Sequence, residues 1–433
     1  MRRPFFYGWV IVAVAWVVYG FGIAPAYFSW GFFAPEIIED LHLTRGEAGF
    51  VFGLFTFLYS ASSPLVGLAL IRWNLRTIIC GGSLLAASGF LLLSQAETLL
   101  GCLMTYSVLG GVGIGISTII PCQTLGSNWF IRSRARAIAI IMTAGGVVGT
   151  AMPPFDKVML DTLGWRSAWM VIGAISLAVA VLGALLVRDR PEDLGLAPDG
   201  DERREMSSAR KATGGEADSA KASTASLITE VRQHHQWTAA EAMRTRQFFL
   251  LVVSGVAYAV PWGVVAAHGR LHMEDVGFST AAVAGVFSMT IGLSIVGRLS
   301  GAIGDFLAPR KVLGVALIVE ALGTGGFLFA TTTPVASVSL AMLGLGFGVA
   351  YINIAVVFSS YFGRRAFAAT AGVRIMITGV FNGIGPWWAG QMYDAYQSYT
   401  VPFLTIMAVG LAGGLAAFLC WPPRHPLDEE ISE

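Results

Sequence analysis

The sequence predicts an all-α membrane protein of twelve transmembrane helices, arranged as two six-helix pseudo-symmetric bundles. Three observations predict it. Of 433 residues, 55% are hydrophobic and only 13% charged, too few polar groups to cover a soluble surface of that size. Apolar runs long enough to cross ~30 Å of hydrocarbon at 1.5 Å per residue recur twelve times. The two halves also share landmarks at a near-constant offset. Leu109-Gly110 and Leu343-Gly344, like Gly67 and Gly301, lie 234 positions apart; Trp129-Phe130 and Tyr361-Phe362, like Pro154 and Pro386, lie 232 apart.

The first span, 7 to 31, follows Met1-Arg2-Arg3-Pro4 with no small-residue cleavage site, so it reads as a retained span and not a removed leader. The runs 46 to 71, 76 to 95, 98 to 121, 135 to 154 and 166 to 187 complete a first bundle within 1 to 189. A polar segment, 190 to 246, rich in Ser, Ala, Glu, Lys and Arg, reads as a cytoplasmic linker. Near its end Thr238-Ala239-Ala240-Glu241 has capping-box spacing, which opens a short helix over 238 to 246; Trp237 and Arg244 suit it to the membrane interface. The second bundle, 247 to 433, holds 248 to 268, 279 to 304, 311 to 331, 334 to 359, 366 to 391 and 399 to 421. Glycine runs such as 111 to 115, 145 to 149 and 344 to 348 lie inside apolar spans with no strand before them, so they mark close helix packing and not a nucleotide loop. Pro25, Pro64, Pro121, Pro261 and Pro386 mark kinks.

Charge fixes orientation and excludes partners. The net charge is +1, so no global basic field argues for nucleic acid. With connections placed alternately, 22 of the 28 Lys and Arg fall on the side of the N-terminus, four opposite and two within spans. By the positive-inside rule both termini are cytoplasmic. Cys80, Cys102, Cys122 and Cys420 sit in apolar runs without disulfide or zinc spacing. No hydrolase, kinase or redox constellation appears, so the expectation is a non-enzyme without cofactor or metal.

Two facing repeats place a binding site between them near the midplane. The charges inside spans are therefore the candidate site. Arg298 is the only charged residue between Asp275 and Asp305, and a guanidinium in hydrocarbon costs at least ~2.5 to 3.5 kcal/mol, so it needs a cavity and a partner. Side chains lean toward their helix N-terminus, which aims Arg298 at the midplane. Its planar fork fits a carboxylate bidentately; a structural ion pair between halves is the alternative. Arg374 lies about nine residues, or roughly 13 Å, into its span, where snorkelling, gate pairing and substrate contact are all open. If both arginines face one cavity, a dicarboxylate is favoured. Polar and aromatic groups expected around the cavity are Tyr19, Tyr27, Gln123, Tyr258, Tyr351 and Asn353, each with packing as its alternative. Glu320, alone in the ninth span, is a proton-coupling candidate with an interhelical hydrogen bond as its alternative. His268 and His272 stand near the outer end of the seventh span, where a titrating role competes with a solvated loop position.

Gly301-Ala302-Ile303-Gly304-Asp305 followed by Pro309-Arg310-Lys311 resembles the loop motif of the major facilitator superfamily, degraded in the first half, where Ile71 replaces the aspartate. The resemblance makes Asp305 and Arg310 gating candidates. Tyr7-Gly8-Trp9, Leu43-Thr44-Arg45-Gly46-Glu47, Gly164-Trp165-Arg166, Pro191-Glu192-Asp193-Leu194-Gly195 and His268 with Asp275 and Gly277 are similar to prokaryotic members of the monocarboxylate porter and oxalate:formate antiporter group. That resemblance implies a secondary transporter of small organic anions, a monocarboxylate before others, in a bacterial inner membrane. It also implies that Arg298 holds the substrate carboxylate, with a proton or counter-anion as coupling partner. The chain departs from the proton-coupled animal relatives at Ser294 and Tyr27, and from the oxalate exchanger at Thr378. The resemblance thus implies an anion site without naming the coupling ion. A multidrug or other proton antiporter of the same fold, and a non-transporting carboxylate sensor signalling through 190 to 246, are the alternatives.

Overall fold

The computed structural model describes residues 6–70, 72–200, 237–299 and 307–423, which are overwhelmingly helical with no strand among them. The helices are α1 (Gly8–Leu41), α2 (Arg45–Ala61, continued by Ser63–Ala69), α3 (Leu75–Leu93) and α4 (Leu99–Trp129). Next come α5 (134–163) and α6 (165–186), one continuous helix but for Gly164 at φ 74°. The second half holds α7 (Arg246–Asp275), α8 (Thr280–Arg298), α9 (Pro309–Leu328), α10 (333–362), α11 (364–396) and α12 (Thr400–Leu419), with α10 and α11 folded at Gly363, φ 67°. Left-handed backbone at both folds is tolerable because glycine has no Cβ to clash.

Several helices outrun the apolar spans. α1 continues from 31 to Leu41, α4 from 121 to Trp129, α5 from 154 to 163 and α7 from 268 to Asp275. Proline does not stop α5, because the bond it deletes is replaced. Pro154 cannot donate to the Thr150 carbonyl, and the Ser288 hydroxyl of α8 donates to it at 2.6 Å instead. The same device recurs at the equivalent place in the second half. Pro386 frees the Asn382 carbonyl, to which Thr56 of α2 donates at 3.4 Å. In α4, by contrast, the backbone breaks at Thr118 (φ −103°, ψ −92°) ahead of Pro121 and the helix then resumes.

Other repeat-related contacts confirm the offset. Trp129 Nε1 donates to the Arg188 carbonyl at 2.9 Å, and Tyr361 donates to the Cys420 carbonyl at 2.6 Å, with donor and acceptor both shifted by the repeat. Gly89 lets α3 touch the Thr105 carbonyl, and Gly323, its counterpart, lets α9 touch that of Ser339; a side chain at either would overlap backbone.

The halves meet along α2 with α11, α5 with α8, and α1 with α7. Call the end of the bundle holding Gly8 and Leu419 the near end. Among the described residues, the cross-half hydrogen bonds and ion pairs lie in mid-bundle or at the far end. There Arg45 pairs with Asp275 through both oxygens (2.5 and 2.7 Å) and lies 3.8 Å over the Tyr393 ring. Asp394 accepts from the Arg45 and Gly46 amides at 3.1 and 2.7 Å, a carboxylate at the N-terminus of α2. Arg270, 4% exposed, forks onto both oxygens of Glu36 (2.5 and 2.9 Å) and donates to Glu274 and the Phe32 carbonyl. Glu36 and Arg270 are themselves separated by the repeat offset, so they are equivalent positions meeting on the pseudo-two-fold axis.

The short helix Ala239–Arg244 forms with the expected capping box, Thr238 and Glu241 bonding reciprocally. Trp237 is buried edge-on against Phe362 at 5.7 Å, so it packs on the end of α10. Residues 201–236 of the expected linker, and Asp305 of the expected gate, lie outside the described residues.

Candidate substrate site

α8 and α11 deliver two cations to one place. Arg298 is the last residue of α8, where a cation meets the negative end of the helix dipole. Its guanidinium carbon lies 4.9 Å from the Tyr351 ring centre and 5.9 Å from that of Phe347, and its Nε is buried with no hydrogen-bond partner. Arg374 is 6% exposed, so it does not snorkel out. Its Nη1 is 3.5 Å from the Tyr258 hydroxyl, its charge lies 5.6 Å from the Phe358 ring, and its Nε also lacks a partner. Tyr351 feels both cations. No carboxylate among the described residues lies within ion-pair distance of either arginine.

The walls are aromatic and hydroxylic. Trp262 stacks on Phe347 at 4.0 Å, and Tyr258 stands edge-on to Tyr351 at 6.3 Å. From the first half, Tyr19 lies in the field of Arg298 and Tyr351, and Tyr59 in that of Tyr19 and Tyr351. Tyr27 lies beside the Asn382 side chain. Arg374, Thr378 and Asn382 lie one turn apart on one face of α11, and each carries a buried polar atom without a hydrogen-bond partner. The arrangement is an aromatic-walled cluster of hydroxyls around two cations that have no carboxylate partner among the described residues, which suits a small anion.

The structure thus gathers Arg298, Arg374, Tyr19, Tyr27, Tyr258 and Tyr351. Other expected site residues make contacts of their own. Gln123 donates to the Met142 sulfur at 3.4 Å, and Asn353 donates to Val349 on its own helix at 2.9 Å. Arg310 donates to the Phe418 carbonyl at 2.6 Å and lies 3.5 Å over the Trp421 ring, tying α9 to α12. Glu320 is fully buried in α9 with neither carboxyl oxygen hydrogen-bonded. His268 is 1% exposed and not at a solvated helix end, because α7 runs on past it; it bridges the Tyr399 hydroxyl (3.2 Å) and the Pro386 carbonyl (2.7 Å). Sequence reasoning missed Tyr59 and Asn382. A hydroxyl in the apolar second span, and the spacing of two turns beyond Arg374, were the available signals.

The sequence profile of the Major Facilitator Superfamily matches residues 15–372 and 299–433. The chain belongs to that superfamily. It is 25% identical to Monocarboxylate transporter 13 of Rattus norvegicus over 414 residues, covering 94% of this chain and 87% of the relative. It is 30% identical to human Monocarboxylate transporter 11 over 183 residues, covering 42% of this chain and 38% of that relative, so that match spans well under half of the relative's length. An uncharacterized MFS-type transporter, YhjX of Escherichia coli K12, is 22% identical over 378 residues, covering 86% of this chain and 85% of YhjX. Among solved structures, a bacterial homolog of the human lysosomal transporter Spinster, inward-facing and occupied, superposes with TM-score 0.73 at 16% identity, covering 96% of this chain and 99% of that one. A mutant of the nucleoside transporter NupG gives 0.70 at 11% identity, covering 96% and 100%. At such identities the solved structures speak for the fold alone. This superfamily member is therefore a multi-pass membrane protein of all-α fold.

Proposed function

We propose that this superfamily member is a secondary transporter of small organic anions, a monocarboxylate in the first instance, working by alternating access with Arg298 as the carboxylate anchor. One observation carries the reading. Arg298 lies beside the neighbouring rings of Phe347 and Tyr351 with a buried, unpartnered Nε and no described carboxylate to neutralise it, so the missing anion is supplied by the substrate. The similarity to monocarboxylate transporters supports the same substrate class. The positive-inside count assigns the near end to the cytoplasm, which makes the far-end network around Arg45 and Arg270 the outer gate in its closed state.

A thermal-shift screen of carboxylates on wild type and Arg298→Ala tests the anchor. A ligand at 100 times its Kd adds about 2.7 kcal/mol to wild type; equal stabilisation of the variant removes Arg298 from the site. Uptake of the stabilising carboxylate into proteoliposomes separates a transporter from a sensor, which binds without transport, and from a drug antiporter, which moves cations or dyes instead. A second reading, a dicarboxylate, is favoured by Arg374, which brings to the same tyrosine a second cation with no carboxylate partner among the described residues. Loss of succinate-sized ligands but retention of lactate-sized ones in Arg374→Ala would establish it.

A further inference from the structure

Asp156 is a buried acid that the anion site does not use. It lies on α5 two residues past Pro154 and is 0% exposed. One carboxyl oxygen accepts from the Ser29 hydroxyl of α1 at 2.9 Å, and the other has no hydrogen-bond partner. The scaffold does not require this pair, because Gly263 and Trp388 occupy the positions equivalent to Ser29 and Asp156 in the second half.

Its surroundings make it a poor home for a negative charge and a good one for a proton. The cation facing it is Arg270 of α7, in the other half, and Arg270 is already held by Glu36 of α1, Glu274 of its own helix and the Phe32 carbonyl. On its own helix Lys157 is paired with Asp161, and at the start of α6 Arg166 is paired with Asp40. α8 contributes no titratable side chain between Thr280 and Gly297. An ionised Asp156 would thus add a third carboxylate to one guanidinium and leave an oxygen unpaired in a water-poor layer. A small cavity lined by Phe32, Arg270, Ile291 and Pro153, one turn before Asp156, lies at the junction of α1, α5, α7 and α8, where the halves part. Parting α1 from α7 breaks the Arg270 pair with Glu36, admits water to that junction and solvates Asp156.

We propose that Asp156 is a proton-binding site of the transport cycle: closing the far end takes one proton from far-side water onto its carboxylate, and opening releases it. The proposal rests on the alternating-access reading but not on Arg298 or the substrate. Ser29 is a positioning residue, since its hydroxyl supports the ionised form.

The test is the distance across the far end against pH, read by spin-label pairs at the exposed Glu39 and Tyr396 (E39C with Y396C) in lipid nanodiscs without substrate. Wild type should show two populations, with the closed-to-open ratio falling up to tenfold per pH unit as pH rises. Asp156→Asn should stay closed and insensitive to pH, while Glu320→Gln keeps the wild-type response. Ser29→Ala, which keeps the carboxyl and serves if Asp156→Asn does not fold, should move the midpoint to higher pH. A pH response that survives in Asp156→Asn, or an unmoved midpoint in Ser29→Ala, overturns the proton assignment. A single wild-type distance at every pH overturns the alternating-access reading with it.

Discussion

The two halves of this transporter share a scaffold and differ in chemistry. The shared part is glycine, proline and the hydroxyls that repair proline: Gly89 with Gly323, Pro154 with Pro386, Ser288 with Thr56, all at the repeat offset. The chemistry lies where the repeat fails. Arg298 and Arg374 stand opposite Pro64 and Met142 of the first half, which contributes instead the hydroxyls of Tyr19, Tyr27 and Tyr59. Packing positions are held to the same small residues in both halves because backbone contact leaves no room. Cavity positions are under no such constraint, so in the proposed anion site both cations come from the second half while tyrosine hydroxyls come from both.

The largest test of that division is Arg298→Ala, which should lower carboxylate uptake about 100-fold or more, the loss of roughly 3 kcal/mol from charge-assisted bonds. Arg298→Lys, keeping charge but not the fork, should recover only part of it; full recovery would mean geometry is irrelevant. Next is Glu36→Gln, which leaves Arg270 buried without its cross-half partner. Breaking such a pair costs about 3 kcal/mol, and the far end should open, read as faster maleimide labelling of F28C; unchanged labelling would take the pair out of the gate. A smaller effect belongs to the paired hydroxyls. Ser288→Ala, orphaning the Thr150 carbonyl, should cost about 1 to 2 kcal/mol in detergent unfolding, and Thr56→Ala, whose bond is longer, less than that. If Thr56→Ala costs more, the repeat-related bonds are not ranked by length.

The smallest concerns the loop after α6. Asp199 accepts from the Ile131, Arg132 and Ser133 amides at 2.9, 2.7 and 3.3 Å. Partial burial raises its carboxyl, but these donors outweigh that and hold it below its ordinary value of 3.8. A depressed folded value means the contribution is present above pH 3.8 and lost as pH falls through the folded value. Asp199→Asn should therefore cost less than ~1 kcal/mol at neutral pH and flatten the acid limb of the unfolding curve.

The spans and their repeat could be read from hydropathy and glycine spacing, because both are enforced at every turn of helix. The gate could not. Expected spans stopped at 31 and 268, where apolar runs give way to Glu36 and Arg270, yet the helices continue. Charge ends an apolar run without ending a helix when partners on neighbouring helices neutralise it, and those partners are invisible along one chain. Arg298 stood out for the opposite reason, as a single charge inside an otherwise apolar run. The chamber was half legible: Tyr19, Tyr27, Tyr258 and Tyr351 converge, whereas Gln123 and Asn353 turn to Met142 and Val349.

The meeting of Glu36 with Arg270 at equivalent positions has an evolutionary consequence. Residues on a two-fold axis face their own counterparts. Two identical first halves would bring glutamate against glutamate there, and two identical second halves arginine against arginine. Either assembly would repel itself at the spot where the present molecule locks, so this clasp is a product of divergence after duplication, and neither half can be replaced by a copy of the other.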